Sequence, residues 1–256
     1  MPVFLCNKYP AITVLLVTLW SGIAGAAVSL SDFYQPDGTR RAIAHNITAL
    51  TGQFLAVPYR AHQLVGSPET PEQLVTNLNA LDCFTYLDYV EALKRSPQQQ
   101  DFSGQLAKIR YKNGDISYFQ RRHFFSDWVS GSQPVAQDIT RQLSPDFQVT
   151  HKQLNQRKTG GAYIPGLPVT ARDIAWLPVS ALTPVVLAQL QTGDYIGIYS
   201  PQAGLDVSHA GIIIRTRDGL FLRNASSTRR ERQVIDSPLH LYLRQKSGIV
   251  VYRVVL

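Results

Sequence analysis

Four short apolar runs crowd the C-terminal part of the chain: "GDYIGIYS" at 193–200, "HAGIIIRT" at 209–216, "GLFLRNASS" at 219–227 and "GIVVYRVV" at 248–255. Each is bounded by turn residues and carries β-branched, aromatic or leucine side chains, so each is predicted as a strand. Arg217-Asp218-Gly219 turns the second run into the third as a hairpin. With helical segments ahead of it, such an antiparallel sheet specifies an α+β fold.

Upstream, Ile43, Ile47 and Leu50 recur at helical spacing. They predict a helix within Asp32 to Ala56 that ends near Gly52 and Pro58. Thr70 to Asn77 reads as a short helix, with Pro71 in its first turn and Leu74 on its buried side. In "LDCFTYLDYVEALKRS" the residues Phe84, Leu87, Val90 and Leu93 repeat every third position, Asp82 suits an N-cap, and Ser96-Pro97 stops the run. "LAKIRYKNGDISYFQRRHFF" reads as a hairpin, because Asn113-Gly114 is a favoured two-residue turn and Ile109, Tyr111, Ile116 and Tyr118 flank it. Residues 130–170, with the turn-rich "KTGGAYIPGLP", read as a short helix or strand leading into a long loop.

At the other end, Lys8 precedes an apolar run from Ile12 to Trp20, and Ala24 and Ala26 have the small-x-small spacing that signal peptidase accepts. The run is shorter than the roughly 20 residues of a membrane span. Residues 1–26 are therefore expected to be a cleaved secretory signal, and residues 27–256 a single domain with no membrane span, periplasmic or secreted. The formal charge of +7 then fits an anionic envelope partner, peptidoglycan carboxylates or lipid headgroups, and equally a surface that is basic only for solubility. Nucleic acid is not an expected partner outside the cytoplasm. No histidine or cysteine pair has metal-ligand spacing, so no metal or other cofactor is expected. A monomer is expected.

Cys6 would leave with the signal, so Cys83 is the one cysteine of the mature chain and no internal disulfide can form. A free thiol in an oxidising compartment is a liability unless it is buried or reactive. Cys83 falls in the first turn of a predicted helix and off its apolar stripe. A helix N-terminus or a nearby imidazolium stabilises a thiolate, so the sulfur is expected to rest as an anion. Inert packing is the competing reading. A nucleophilic thiol needs a base, and the base needs a group that orients it. His209 opens one predicted strand, and Asn224 on the next could lie beside it and bond the imidazole. The bland alternative is a surface histidine and a turn asparagine.

Taken in order, "LDCFTYLDYVEAL", "IRYKNGDISYFQRRHFFSDW", "GDYIGIYSPQAGLDVSHAGIIIR" and "LRNASS" resemble the N-acetylmuramoyl-L-alanine amidase-like family, formerly a domain of unknown function, among the NlpC-type papain-like cysteine peptidases. The likeness runs from about residue 40 onward. It implies a papain-like fold of NlpC type: a catalytic cysteine on a helix N-terminus packed on a small antiparallel sheet, a histidine on the second strand and a polar residue on the next, with large loop or helical insertions. By motif these residues are Cys83, His209 and Asn224. The family pattern more often has histidine ahead of Ala-Ser-Ser where this chain has Asn224, and Ser226 and Ser227 are substitutes for the third role.

Asp82 matches the acidic residue before the cysteine, expected either to bind a substrate amine or only to cap the helix. Arg121, Arg122 and His123 are candidate contacts to muramyl-peptide carboxylates, and Ser226 is a further candidate substrate contact. Trp128 and Phe124 read as core. Asp206 would line the cleft or hold a turn. The implied activity is hydrolysis of peptidoglycan fragments (muropeptides) at the amide between N-acetylmuramic acid and L-alanine, through a thioester. The alternatives are an endopeptidase cutting between D-glutamate and the diamino acid of the stem peptide, and a non-catalytic cell-wall-binding protein. A general papain-type protease fits less, because no Gly-Ser-Cys-Trp surrounds Cys83. The long separation of Cys83 from His209 implies an insertion at about 130–180, expected to form loops that restrict the cleft to soluble fragments.

Overall fold

The computed structural model describes residues 27–254, and the expected signal segment lies outside the described residues. Eight antiparallel strands form the sheet among them: β1 (Gln137–Asp138), β2 (Gln148–Leu154), β3 (Thr170–Pro178), β4 (Tyr195–Tyr199), β5 (Val207–Thr216), β6 (Gly219–Ala225), β7 (Val234–Pro238) and β8 (Gly248–Arg253). Their order is β2-β3-β8-β4-β5-β6-β7, with β1 also on β8. Six α-helical segments accompany them: α1 (Ile47–Gly52), α2 (Cys83–Arg95), α3 (Phe102–Arg110), α4 (Thr140–Leu143), α5 (Pro184–Gln189) and α6 (Leu239–Tyr242).

The four apolar runs become β4, β5, β6 and β8, and Thr216 pairs with Gly219 across the tight link from β5 to β6. Because side chains alternate along a strand, the runs feed two cores. Tyr195, Ala210, Ile212, Ile214 and Val250 pack with Tyr86, Leu87, Val90 and Leu93 of α2. Ile196, Ile198, Ile213, Leu222 and Val251 pack on the opposite face with Leu143, Val186 and Leu239 from α4, α5 and α6. A sheet covered on both faces explains why these strands read as near-continuous apolar runs. Each buried aliphatic side chain contributes roughly 1.5–3 kcal/mol.

Helix α2 is buried nearly all round, including Asp88 and Glu91. Those carboxylates are matched: Arg110 Nε donates to Asp88 at 2.9 Å, and Tyr195 OH and Lys94 Nζ donate to Glu91 at 2.6 and 2.7 Å. Pairing offsets a desolvation that would otherwise cost several kcal/mol.

Four expectations need correction. No hairpin forms about Asn113-Gly114. Residues Phe102–Arg110 are helix α3, and Asn113 (φ 57°) and Gly114 (φ 76°) use their left-handed conformations to finish the turn behind it. Ile109 is buried on that helix, whereas Ile116 is 47% exposed. Thr70–Asn77 is extended rather than helical, with Leu74 half-buried. Its backbone is held by side chains of α2 and α3: Arg110 Nη1 and Tyr89 OH both donate to Val75 O, at 2.7 and 3.2 Å, and the Asn77 N–H donates to Tyr89 OH at 2.9 Å.

Within Asp32–Ala56 the helix is broken at Asn46, whose backbone is extended and whose Oδ1 caps α1 by accepting from the Thr48 and Ala49 N–H groups at 2.9 and 3.1 Å. The end near Gly52 is as expected. Finally, residues 130–180 are not mainly loop. They supply β1, α4 and the β2–β3 hairpin that widens the sheet, leaving residues 155–169 as the connecting loop.

Candidate active site

Cys83 is the first residue of α2, set there by the Asp82 cap. Asp82 Oδ1 accepts from the N–H groups of Phe84 and Thr85 at 3.1 and 2.7 Å, and the Asp82 N–H donates to Thr85 Oγ1 at 2.9 Å. The next residue, Phe84, packs edge-on against Phe125 and lies 5.9 Å from the Trp128 ring, which anchors the helix start to the segment Phe125–Val129. The thiol is free and half-buried, and it opens into a cavity of about 210 Å³ that it shares with His123, Phe124, Tyr163, Ile164, Asp206 and His209.

His209 sits near the start of β5, where the pairing with β4 shifts by one residue between Ile198 and Tyr199. Its Nε2 lies 2.9 Å from Asn224 Oδ1 on β6. Asn224 is fully buried, and its Nδ2 already donates to Leu222 O and Ser237 Oγ at 3.0 and 3.2 Å. The amide therefore presents its oxygen to the ring, so Nε2 carries the proton and Nδ1 keeps the lone pair. Gly211 permits this arrangement, because a Cβ there would lie 2.8 Å from Arg223 O and 3.0 Å from Asn224 Cβ.

The expected resting anion is not what this site favours. Burial pushes the Cys83 thiol up to about 12 and the Asp82 carboxylate adds to it, against the backbone N–H groups of Ala210, Cys83 and Phe84 that favour the thiolate. Burial also lowers His209, and the Lys246 charge lowers it further, while the Asn224 bond and Asp82 raise it. Desolvation outweighs the helix N-terminus here, so the site rests as a neutral thiol and a neutral imidazole. Cys83 and His209 thus line one cavity as a thiol and an imidazole, the two group types that a nucleophile and its base require.

The other predicted residues divide. His123 and Asp206 line the cavity. Asp206 is also buried and holds a turn, accepting from the Ser126 and Val207 N–H groups, both at 2.7 Å, so both of its readings apply. Asp82 is the helix cap. Arg121 and Arg122 are not available as substrate contacts. Arg121 engages the buried Glu72 through two nitrogens, and Arg122, 4% exposed, donates to the carbonyls of Ile109, Asp127 and Gln133. Ser226 is buried and bonds Glu231 and Thr228 outside the cavity lining. Trp128 and Phe124 are buried as expected, although Phe124 also forms cavity wall.

Sequence reasoning missed Tyr163 and Ile164, which reach the cavity from the 155–169 loop, and Tyr242, whose ring lies 6.1 Å from that of His209. The "AYIPG" stretch held the only signal for the first two: bulky apolar residues in a turn-rich segment need a surface to cover. Among the described residues no cluster of three or more histidine, cysteine or carboxylate side chains could hold a metal ion.

A family model described as AmiA-like, N-acetylmuramoyl-L-alanine amidase-like, matches residues 49–249. Among solved structures, one of an N-acetylmuramoyl-L-alanine amidase from Bacteroides uniformis is 28% identical, with a TM-score of 0.67 over 84% of this chain and 100% of that one. A Bacteroides fragilis protein named as a candidate xylanase is 29% identical, with a TM-score of 0.66 over 80% of this chain and 99% of that one. A DUF1460 protein from Legionella pneumophila, at 23% identity and a TM-score of 0.68 over 84% and 89% of the two chains, shares the fold. No curated protein matches the chain. With the family model spanning most of its length, the chain belongs to the N-acetylmuramoyl-L-alanine amidase-like family.

Proposed function

We propose that this chain hydrolyses soluble peptidoglycan fragments in the cell envelope or outside the cell, cutting the amide between N-acetylmuramic acid and L-alanine with Cys83 as nucleophile. The observation that carries the reading is the meeting, in one cleft, of a free thiol at a helix N-terminus and an imidazole whose tautomer Asn224 dictates. Family membership supplies the substrate class.

In the reaction, His209 Nδ1 takes the thiol proton as sulfur attacks the lactyl carbonyl of the muramic acid. The Cys83 backbone N–H, which the Asp82 cap leaves free when it takes those of Phe84 and Thr85, faces the oxyanion. His209 then gives its proton to the alanine nitrogen, the C–N bond breaks, and the stem peptide leaves with a free amine. Water, deprotonated by His209, cleaves the thioester and restores the thiol. Asn224 positions the ring throughout, as asparagine does in papain-like enzymes. A glycoside hydrolase is disfavoured, because it needs a pair of carboxyl groups and the cavity offers only Asp206, which is occupied by two backbone N–H groups.

Digestion of defined muropeptides followed by mass spectrometry tests the bond. Intact stem peptide with an N-terminal alanine is expected. An L-Ala-D-Glu product would instead assign the endopeptidase activity, and no cleavage of any muropeptide would leave wall binding.

A further inference from the structure

A chain of concavities leads away from the thiol. Tyr163 lines both the cleft and a second cavity of about 280 Å³, and that cavity shares Arg157, Lys158 and Pro201 with a third of about 540 Å³, which extends to Lys152 and Gly204. No aspartate or glutamate lines the second or third cavity. Lys152 is 5% exposed, yet among the described residues its Nζ has no carboxylate partner. It donates to the carbonyls of Ser200 and Gln202, both at 2.9 Å, and lies 5.1 Å from the Tyr199 ring. The Arg157 guanidinium sits 5.0 Å from the ring of Tyr163, the residue that joins groove to cleft.

The groove is built rather than incidental. Asn155, fully buried, accepts the Ile164 N–H at 2.7 Å and donates to the carbonyls of Ile164 and Leu167 at 3.0 and 2.9 Å, while its own N–H donates to Gly204 O at 2.9 Å. Gly204 (φ 75°) lets the strands of chain meet, since a Cβ there would fall 2.2 Å from Gln156 O. A buried ammonium solvated only by carbonyls is stabilised further by a nearby anion.

We propose that this groove is a subsite for the carboxylates of the departing stem peptide, a reading that rests on the amidase assignment. The leaving nitrogen must lie on the His209 side, because His209 protonates it, and from His209 the cavity wall runs through Asp206 and Leu205 to the turn at Gly204. The stem peptide carries free carboxylates beyond its alanine, and the groove meets them with the exposed Arg157 and Lys158 at its rim, above the buried positive charge of Lys152. The glycan, bound on the thiol side, has no such charge to offer once its lactyl group is in amide linkage.

The test compares a muramyl peptide with free carboxylates and the same compound with those groups amidated, as substrates of the full chain and of an Arg157→Ala, Lys158→Ala double variant. Both side chains are exposed, so folding is retained. The full chain should favour the free acid on the order of 10-fold in kcat/KM, mostly through KM, and the double variant should lose that preference. Equal turnover of both substrates by the full chain, or a preference that survives the double substitution, overturns the subsite.

A second arm titrates the stem peptide, its amidated form and inorganic phosphate into Cys83→Ala protein by calorimetry. Carboxylate-dependent binding that Arg157→Ala, Lys158→Ala removes supports the subsite even if no muramyl-alanine bond is cut, which would instead sink the amidase reading. Phosphate binding as tight as the peptide overturns peptide recognition.

Discussion

Asn224 Oδ1 lies 2.9 Å from His209 Nε2, and because both Nδ2 hydrogens of Asn224 are held by Leu222 O and Ser237 Oγ, the asparagine can only accept from the ring. One buried amide thereby decides which imidazole nitrogen is a base. Replacing it by leucine keeps the volume and removes the decision. Asn224→Leu is expected to lower kcat on the order of 100-fold with little change in KM, read from steady-state kinetics on a muropeptide.

The pH profile follows from the same geometry. In the proposed mechanism His209 must be neutral to accept the thiol proton, and burial holds it below its ordinary 6.5, so the acid limb of kcat/KM should fall below that value. Activity rises as pH climbs through the limb, since deprotonation creates the base. Asn224→Asp places a negative charge on the ring and stabilises the imidazolium, so the limb should move to higher pH. A limb that stays put in that variant would argue against His209 as its source.

With the thiol pushed up to about 12, alkylation of Cys83 in the free protein by iodoacetamide should keep accelerating well into alkaline pH. A thiolate–imidazolium pair would give a plateau at neutral pH instead. Following the rate of modification by mass distinguishes the two.

Gly211→Ala is a test of packing. The added methyl lies 2.8 Å from Arg223 O and 3.0 Å from Asn224 Cβ, so β6 must shift. A destabilisation of about 1–3 kcal/mol is expected by denaturant unfolding, together with a kcat loss in the direction of Asn224→Leu.

The buried pair Arg110–Asp88 ties α3 to the helix that carries Cys83. Asp88→Ala leaves an uncompensated guanidinium that is 1% exposed, and unfolding free energy should fall by about 3–5 kcal/mol. Asp88→Leu combined with Arg110→Met should recover most of the loss.

The parts of this molecule legible in the sequence are those governed by local chemistry. Asp82 announces a helix start by its capping side chain, Thr216 to Gly219 announces a hairpin, and His209 and Asn224 face one another because they stand near the ends of strands that the hairpin joins. What escaped is set by tertiary partners. Asn113-Gly114 has the left-handed backbone of a hairpin turn, but turn geometry does not say whether helix or strand precedes it, and burial of Leu106 and Ile109 made α3 win. Thr70–Asn77 lost its helix to hydrogen bonds from Tyr89 and Arg110. Strands β2 and β3 escaped because residues such as His151, Lys152 and Asp173 disguise their alternation with polar side chains. Arg121 and Arg122 read as binding residues because a sequence does not reveal that Glu72 and three carbonyls already hold them. The thiol's charge state was misjudged for a related reason: helix position is local, whereas desolvation is a property of everything packed around it.

The proposed nucleophile is tested most directly by acid-quenching the protein during turnover of a muropeptide and measuring its intact mass. The account predicts a muramyl adduct on Cys83 that disappears in Cys83→Ala, along with loss of stem-peptide release. Release of stem peptide at an undiminished rate by Cys83→Ala would contradict it.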